Sequence, residues 1–175
     1  IKSEKDKIGT DWIARMASDW EESAQQFKQF GSRVVQMRIS LLMNKETAFL
    51  KYNLLSMKLG VGVIIGSKEK KISWIHVDDA AKFIKEAITN TNYKGAYNLA
   101  TTEPISQGMF IKKIKEKLFP NALIIKIPFF LVRLFLGKRS QIINTDAYIN
   151  VDKLKQEGFI WKFYNFNEVL EKVQT

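Results

Sequence analysis

The run Ile72-Ser73-Trp74-Ile75-His76-Val77-Asp78-Asp79-Ala80-Ala81 constrains the fold of this chain more than any other stretch, and it carries the only histidine in 175 residues. Trp74, Ile75 and Val77 suit a pleated, half-buried surface. The run then breaks at two adjacent carboxylates, and Ala80, Phe83, Ile84, Ala87 and Ile88 follow at helical spacing. Asp78 or Asp79 is expected to cap that helix, because a carboxylate accepts from first-turn N–H groups and suits the positive end of the helix dipole. The sequence therefore specifies a strand-to-helix junction with His76 immediately before it, a place where α/β proteins hold ligands.

The rest of the chain alternates in the same manner. Trp12, Ile13, Met16, Trp20, Ala24 and Phe27 recur at helical spacing, with Thr10 or Asp11 as a cap and Gly31 as a stop. Residues 33–39 read as a strand and about 46–59 as a helix, with 60–66 a glycine-punctuated apolar link between elements. After the junction helix come a turn at Lys94-Gly95, a strand at 96–100 and a helix capped by Ser106. Residues 123–127 alternate as a strand, and Pro128 suits the first turn of a short helix ending near Gly137, where its missing N–H costs nothing. A polar loop precedes a short helix at 152–156 ended by Gly158, and a last helix starts near Asn167. Strands alternating with helices define an α/β fold.

Composition narrows the chemistry. Without cysteine there is no disulfide and no thiolate metal site, and a lone histidine argues against structural zinc. Any cofactor is expected to be organic. The longest apolar run, 123–136, is interrupted by Lys126, Pro128 and Arg133 and is too short to span a bilayer. The start at Ile1 is polar and lysine-rich with no apolar signal core, so it reads as a processed or truncated product and a cytoplasmic location is expected. The net charge of +10 comes from lysines spread from Lys2 to Lys172, with clusters at 68–71 and 112–115. Such a surface can meet phosphates non-specifically. No RNA-binding motif or zinc-finger spacing accompanies it, so specific nucleic-acid binding is not expected and a solvated lysine surface is the simpler reading.

The junction resembles the hydrophobic-His-Val-Asp-Asp signature in the C-terminal half of the extended short-chain dehydrogenase/reductases, the nucleotide-sugar epimerase and dehydratase group. Its form Ser-Trp-Ile-His-x-Asp-Asp resembles the epimerase-like subfamily in particular. Asp19-Trp20-Glu21, Arg33-Val34-Val35 through Arg38, Asn98-Leu99-Ala100, Pro128 with Leu136-Gly137, and Leu154, Glu157-Gly158-Phe159 and Phe163 match further pieces of that pattern in order. The resemblance implies the C-terminal part of an NAD(P)-binding Rossmann-type fold together with a smaller substrate-side α/β domain. Residues 1–45 would close the Rossmann-type domain and 46–175 would form the substrate side, with elements free to interleave.

It also shows what the chain lacks. No Gly-x-x-Gly-x-x-Gly occurs; Gly60-Val61-Gly62 comes nearest, but Gly66 lies four residues after Gly62. The family's tyrosine acid/base would lie before Ile1. The chain is therefore expected to be a C-terminal fragment that supplies no catalytic residue, is inactive alone, and works with a missing N-terminal Rossmann portion. That portion would bring NAD or NADP to a small, sugar-like substrate. The alternative is a non-catalytic basic module for a protein, nucleic acid or membrane surface.

By resemblance, Arg38, Ile39 and Ser40 run past the nicotinamide, and Arg38, Trp74 and His76 face the substrate. Each has a plainer reading. His76 would order the junction, and Arg38 would form a salt bridge to Asp78 or Asp79. Asp78 and Asp79 would cap a helix rather than act as an acid/base pair. Ile72 stands where many of these enzymes carry an arginine on the substrate's diphosphate, which weakens the case for such a substrate. Trp12 and Trp20 are expected as core or interface anchors. The Phe129 to Leu136 segment, with Arg133 and Lys138, is expected as a core helix rather than a helix lying on a membrane.

Overall fold

The computed structural model describes residues 2–137, 140 and 148–174. Helix α1 (Trp12–Gln25) starts where Asp11 accepts from the N–H groups of Ile13 and Ala14, both at 2.9 Å, and it continues into one tight turn (Gln26–Phe30) before Gly31. Strands β1 (Val35–Ile39) and β2 (Leu41–Met43) follow with only Ser40 between them. Next come α2 (Ala48–Lys58), β3 (Val61–Ile65), β4 (Lys71–Ile72), β5 (Trp74–His76) and α3 (Val77–Thr89). The chain then forms β6 (Gly95–Leu99), β7 (Ile105–Ser106), α4 (Gln107–Leu118), β8 (Leu123–Ile127) and α5 (Phe129–Leu136), and it ends with α6 (Asp152–Gln156) and α7 (Phe166–Gln174). Ser106 caps α4 as its sequence indicates, accepting from the N–H of Met109 at 3.2 Å.

Parallel pairing joined through helices makes this an α/β fold. β1 lies parallel to β6, with Ile39 opposite Leu99, and β2 lies parallel to β5, with Met43 opposite His76. Ser40 links the two ladders: its N–H and hydroxyl both donate to the Leu99 carbonyl, at 3.0 and 2.7 Å, and the next N–H, of Leu41, reaches the Ser73 carbonyl at 3.3 Å. β3 pairs in parallel with β8, and β4 forms a short antiparallel pair with β7.

Two apolar clusters sit on this frame. One gathers Met43, Leu50, Met57, Trp74, Phe110, Ile114, Phe166 and Leu170; the other gathers Ile75, Phe83, Tyr93, Tyr97, Leu99, Leu154, Phe159 and Trp161. Trp74 and Ile75 fall in different clusters because successive strand residues face opposite sides.

Three expectations need correction. The segment between Gly60 and Gly66 is strand β3, bracketed by these two glycines in the left-handed region (φ 91° and 72°), not a link. Its alternation was hidden because its outward residues are as apolar as its inward ones, and because an inward position is Gly62, where the Met57 thioether fills the room a Cβ would take. Helix α5 is not core. It has no buried residue, and Phe135 is 84% exposed, because it follows the outlying strand β8. Lys138, expected beside it, and much of the polar loop before α6 lie outside the described residues. Of the core and interface readings of Trp12 and Trp20, the core one is the one corrected: α1 turns its apolar stripe outward, with Trp20 67% exposed. No described helix is long and apolar enough to cross a membrane.

Candidate functional site

The junction is built around His76. β5 ends at this residue and α3 begins at the next, so His76 occupies the helix cap, and its Nδ1 accepts the Asp78 N–H at 3.1 Å. Neither carboxylate caps the helix, which corrects the sequence expectation: the imidazole reaches the free first-turn donor first. The ring is 1% exposed and stacks on Phe163 with centroids 3.7 Å apart and planes 26° from parallel. Burial, aided by Lys172 and Lys162 and opposed by Asp78 and Asp79, holds its pKa below the ordinary imidazole value. An Nδ1 that accepts from a backbone N–H places the proton of neutral His76 on Nε2.

The two carboxylates have separate duties. Asp79 is fully buried, and its oxygens accept the backbone N–H groups of Lys162 at 2.7 Å and Phe163 at 3.0 Å. It thereby clasps the segment that lays Phe163 against His76. Asp78 is partly exposed and takes the ammonium groups of Lys172 at 2.9 Å and Lys162 at 3.2 Å. The Lys172 contact is the main reason its carboxyl lies below the usual range.

A cavity of about 330 Å³ lies at the carboxyl ends of β2 and β5, lined by Asn44, Lys45, His76, Val169, Lys172 and Val173. Lys45, Lys162 and Lys172 carried no local signal in the sequence, and Phe163 carried only its place in the matched pattern. Only the fold brings them to the junction.

The other expected residues sit elsewhere. Arg38 is not paired with Asp78 or Asp79. Its Nε and Nη2 hold both carboxylate oxygens of Glu21 at 2.6 and 2.7 Å, its Nη1 reaches the Glu4 carbonyl at 3.3 Å, and the Glu21 contact raises its pKa. Ile39 presents exposed apolar surface beside it, and Ser40 spends its hydroxyl on Leu99. Arg38 stands opposite Asn98 on β6 whereas His76 stands opposite Met43, and among the described residues Arg38 bonds to Glu21 and Glu4 and does not line the His76 cavity. Trp74 is fully buried, edge-on to Phe166, and borders a second cavity of about 270 Å³ with Lys71, Glu103, Ser106 and Asn165. Its indole N–H has no hydrogen-bond partner among the described residues. Those residues contain no cluster of side chains able to hold a metal ion.

The geometry can be set beside known proteins. An epimerase family protein of Staphylococcus epidermidis is 31% identical over 162 residues, which make up 92% of this chain and 54% of that protein. A Staphylococcus haemolyticus epimerase family protein is 30% identical over 164 residues, with the same shares of 92% and 54%. A crystal structure of a human epimerase family protein with NADPH superimposes with a TM-score of 0.87 at 20% identity, covering 98% of this chain and 58% of that one. This is an epimerase-like chain with the extended short-chain dehydrogenase/reductase fold. Among solved relatives of that fold, a dTDP-glucose 4,6-dehydratase from Streptomyces venezuelae with NAD bound gives a TM-score of 0.73 at 13% identity, over 98% of this chain and 52% of that one. No protein-family model matches the epimerase-like chain. It spans about half the length of the epimerase family proteins it matches.

Proposed function

We propose that the chain is the substrate-side portion of an NAD(P)-dependent oxidoreductase of the nucleoside-diphosphate-sugar epimerase or dehydratase type. It would work with a dinucleotide-binding portion that carries the phosphate loop and the proton-transfer tyrosine. The observation that carries this reading is the uncovered apolar stripe of α1, Trp12, Met16 and Trp20, together with outward-facing Met37 and Ile39 on the parallel strand β1. Parallel sheets are normally covered on both faces, so these residues fit the missing layer of a doubly wound sheet. In this reading residues 1–45 complete the dinucleotide-binding body, 46–175 form the substrate side, and the whole acts in the cytoplasm.

The residues present suit an edge of a nicotinamide cofactor and not its phosphates. Exposed Ile39 offers a surface for a flat ring, whereas no described helix opens from a glycine-rich turn. Bound there, the cofactor would supply the hydride acceptor and donor. Arg38 and Ser40 would hold the strand beneath it through Glu21 and Leu99, while Trp74 and His76 would shape the substrate side.

Calorimetric titration of NADPH and NADH into the longest protein encoded with this chain tests the reading. Saturable binding with turnover of nucleotide sugars is expected. Failure of both nucleotides to bind would overturn it. Polyanion binding that weakens steeply with salt would then favour a basic binding module instead.

A further inference from the structure

We propose that the cavity at the carboxyl ends of β2 and β5 is a binding site for a phosphate-type oxyanion, gripped by the Nε2–H of His76, the Lys45 ammonium and the Asn44 amide, with Lys172 at its rim. The site needs neither a nicotinamide nor a covered α1 face.

His76 carries the inference. Its ring is fixed by the Phe163 stack and by the Asp78 N–H on Nδ1, so Nε2 is held on the opposite edge. That nitrogen carries the proton, yet among the described residues it has no protein partner, although the residue is 1% exposed. A ring buried among partners and lining a cavity with one free donor is built to give that donor to something in the cavity.

The rest of the lining agrees. Asn44 uses Oδ1 to accept the Glu46 N–H at 3.0 Å, which leaves its NH₂ to donate. Lys45 follows directly. Helix α2 starts three residues after Lys45, and Thr47, at its cap, turns its hydroxyl to the Asn44 carbonyl rather than to the helix N–H groups. The cavity lining holds donors, cations and two valines, and no carboxylate. The charged groups facing His76 are Asp78 and Asp79 on α3, Lys162 on the preceding segment and Lys172 on α7. Asp78 is engaged by the two lysines, and Asp79 by backbone N–H groups. The position, beyond the carboxyl ends of adjacent parallel strands, is where α/β folds place ligands. The volume falls at the lower end of the ~300–1,000 Å³ typical of small-ligand pockets.

Inorganic phosphate and UDP, titrated separately into the chain, test the site by calorimetry and by the NMR signal of the His76 Nε2–H. Saturable binding that shifts that signal is expected, and Lys45→Ala should weaken it about tenfold. Lys112→Ala, which removes an exposed lysine paired with Glu116 on α4, should leave it unchanged. His76→Asn keeps an oxygen able to cap α3 but lacks the Nε2 donor, so it should abolish the interaction while the chain stays folded. Should that variant unfold, the Lys45 and Lys112 comparison still decides. Tighter binding of UDP with the same Lys45 dependence assigns the oxyanion to a nucleotide, and phosphate binding alone assigns it to the free ion. Absence of saturable binding by either ligand overturns the proposal, as does equal weakening by Lys45→Ala and Lys112→Ala.

Discussion

Replacing Asp79 by alanine separates two accounts of this carboxylate. As a helix cap it would be worth about 1 kcal/mol. As the clasp seen here, it holds two backbone donors, Lys162 N at 2.7 Å in a part-buried bond and Phe163 N at 3.0 Å in a buried one. Hydrogen bonds to a charged group contribute about 1.5–3 kcal/mol each, and part of that returns because a buried carboxylate no longer has to be desolvated. The net loss expected for Asp79→Ala is about 2–4 kcal/mol, which for a chain of this size lowers Tm by roughly 4–16 °C. Asp78→Ala, at an exposed ion pair, should cost less than about 1 kcal/mol. Urea denaturation followed by circular dichroism gives the stability difference, and amide exchange gives its location. The Lys162 and Phe163 amides should be protected in the parent chain and lose protection first in Asp79→Ala. A loss no greater than that of Asp78→Ala, with both amides still protected, would refute the clasp.

Two further outcomes follow from the geometry. Glu21→Ala leaves two guanidinium donors of half-buried Arg38 without a carboxylate, so it should cost about 1–2 kcal/mol and speed amide exchange throughout α1. Arg38→Lys should behave like the Glu21 change, since an ammonium cannot span both oxygens; a wild-type exchange pattern in either variant contradicts this. With pH, the unfolded chain protonates His76 near 6.5 whereas the folded chain resists, chiefly through burial. The stability owed to neutral His76 is therefore complete above that value and drains away as pH falls toward the folded pKa. The Asp78 contribution, present above its unfolded value of 3.8, is lost only in stronger acid. Urea midpoints should thus fall between about pH 7 and pH 5, and His76→Asn should flatten that slope; an unchanged slope in the variant would count against the assignment.

What was legible in the sequence was mostly local. Asp11 and Ser106 declare themselves because a cap and its donors lie within one turn. The junction was visible for the same reason. Its details were not, since histidine is no favoured cap and the true partners of Asp79 stand 83 and 84 residues away. Arg38 found Glu21, 17 residues earlier on α1, a pairing set by helix docking rather than by spacing. Helices α1 and α5 were read as helices correctly, but periodicity names an apolar stripe without saying what covers it. The lysines that surround His76 were visible only as net charge.

Ser40 makes the single extended segment from Val35 to Met43 a ruler. Arg38 and Met43 are five positions apart, about 16 Å at the usual strand rise, so the separation of the Arg38 end from the His76 end is set by covalent geometry and not by the packing of a flexible connection. A ruler of this kind tolerates side-chain change but not change of length. One residue added at position 40 would turn every later side chain over, sending buried Met43 to the surface and exposed Leu42 into the core. The two ends of the molecule would lose their alignment together.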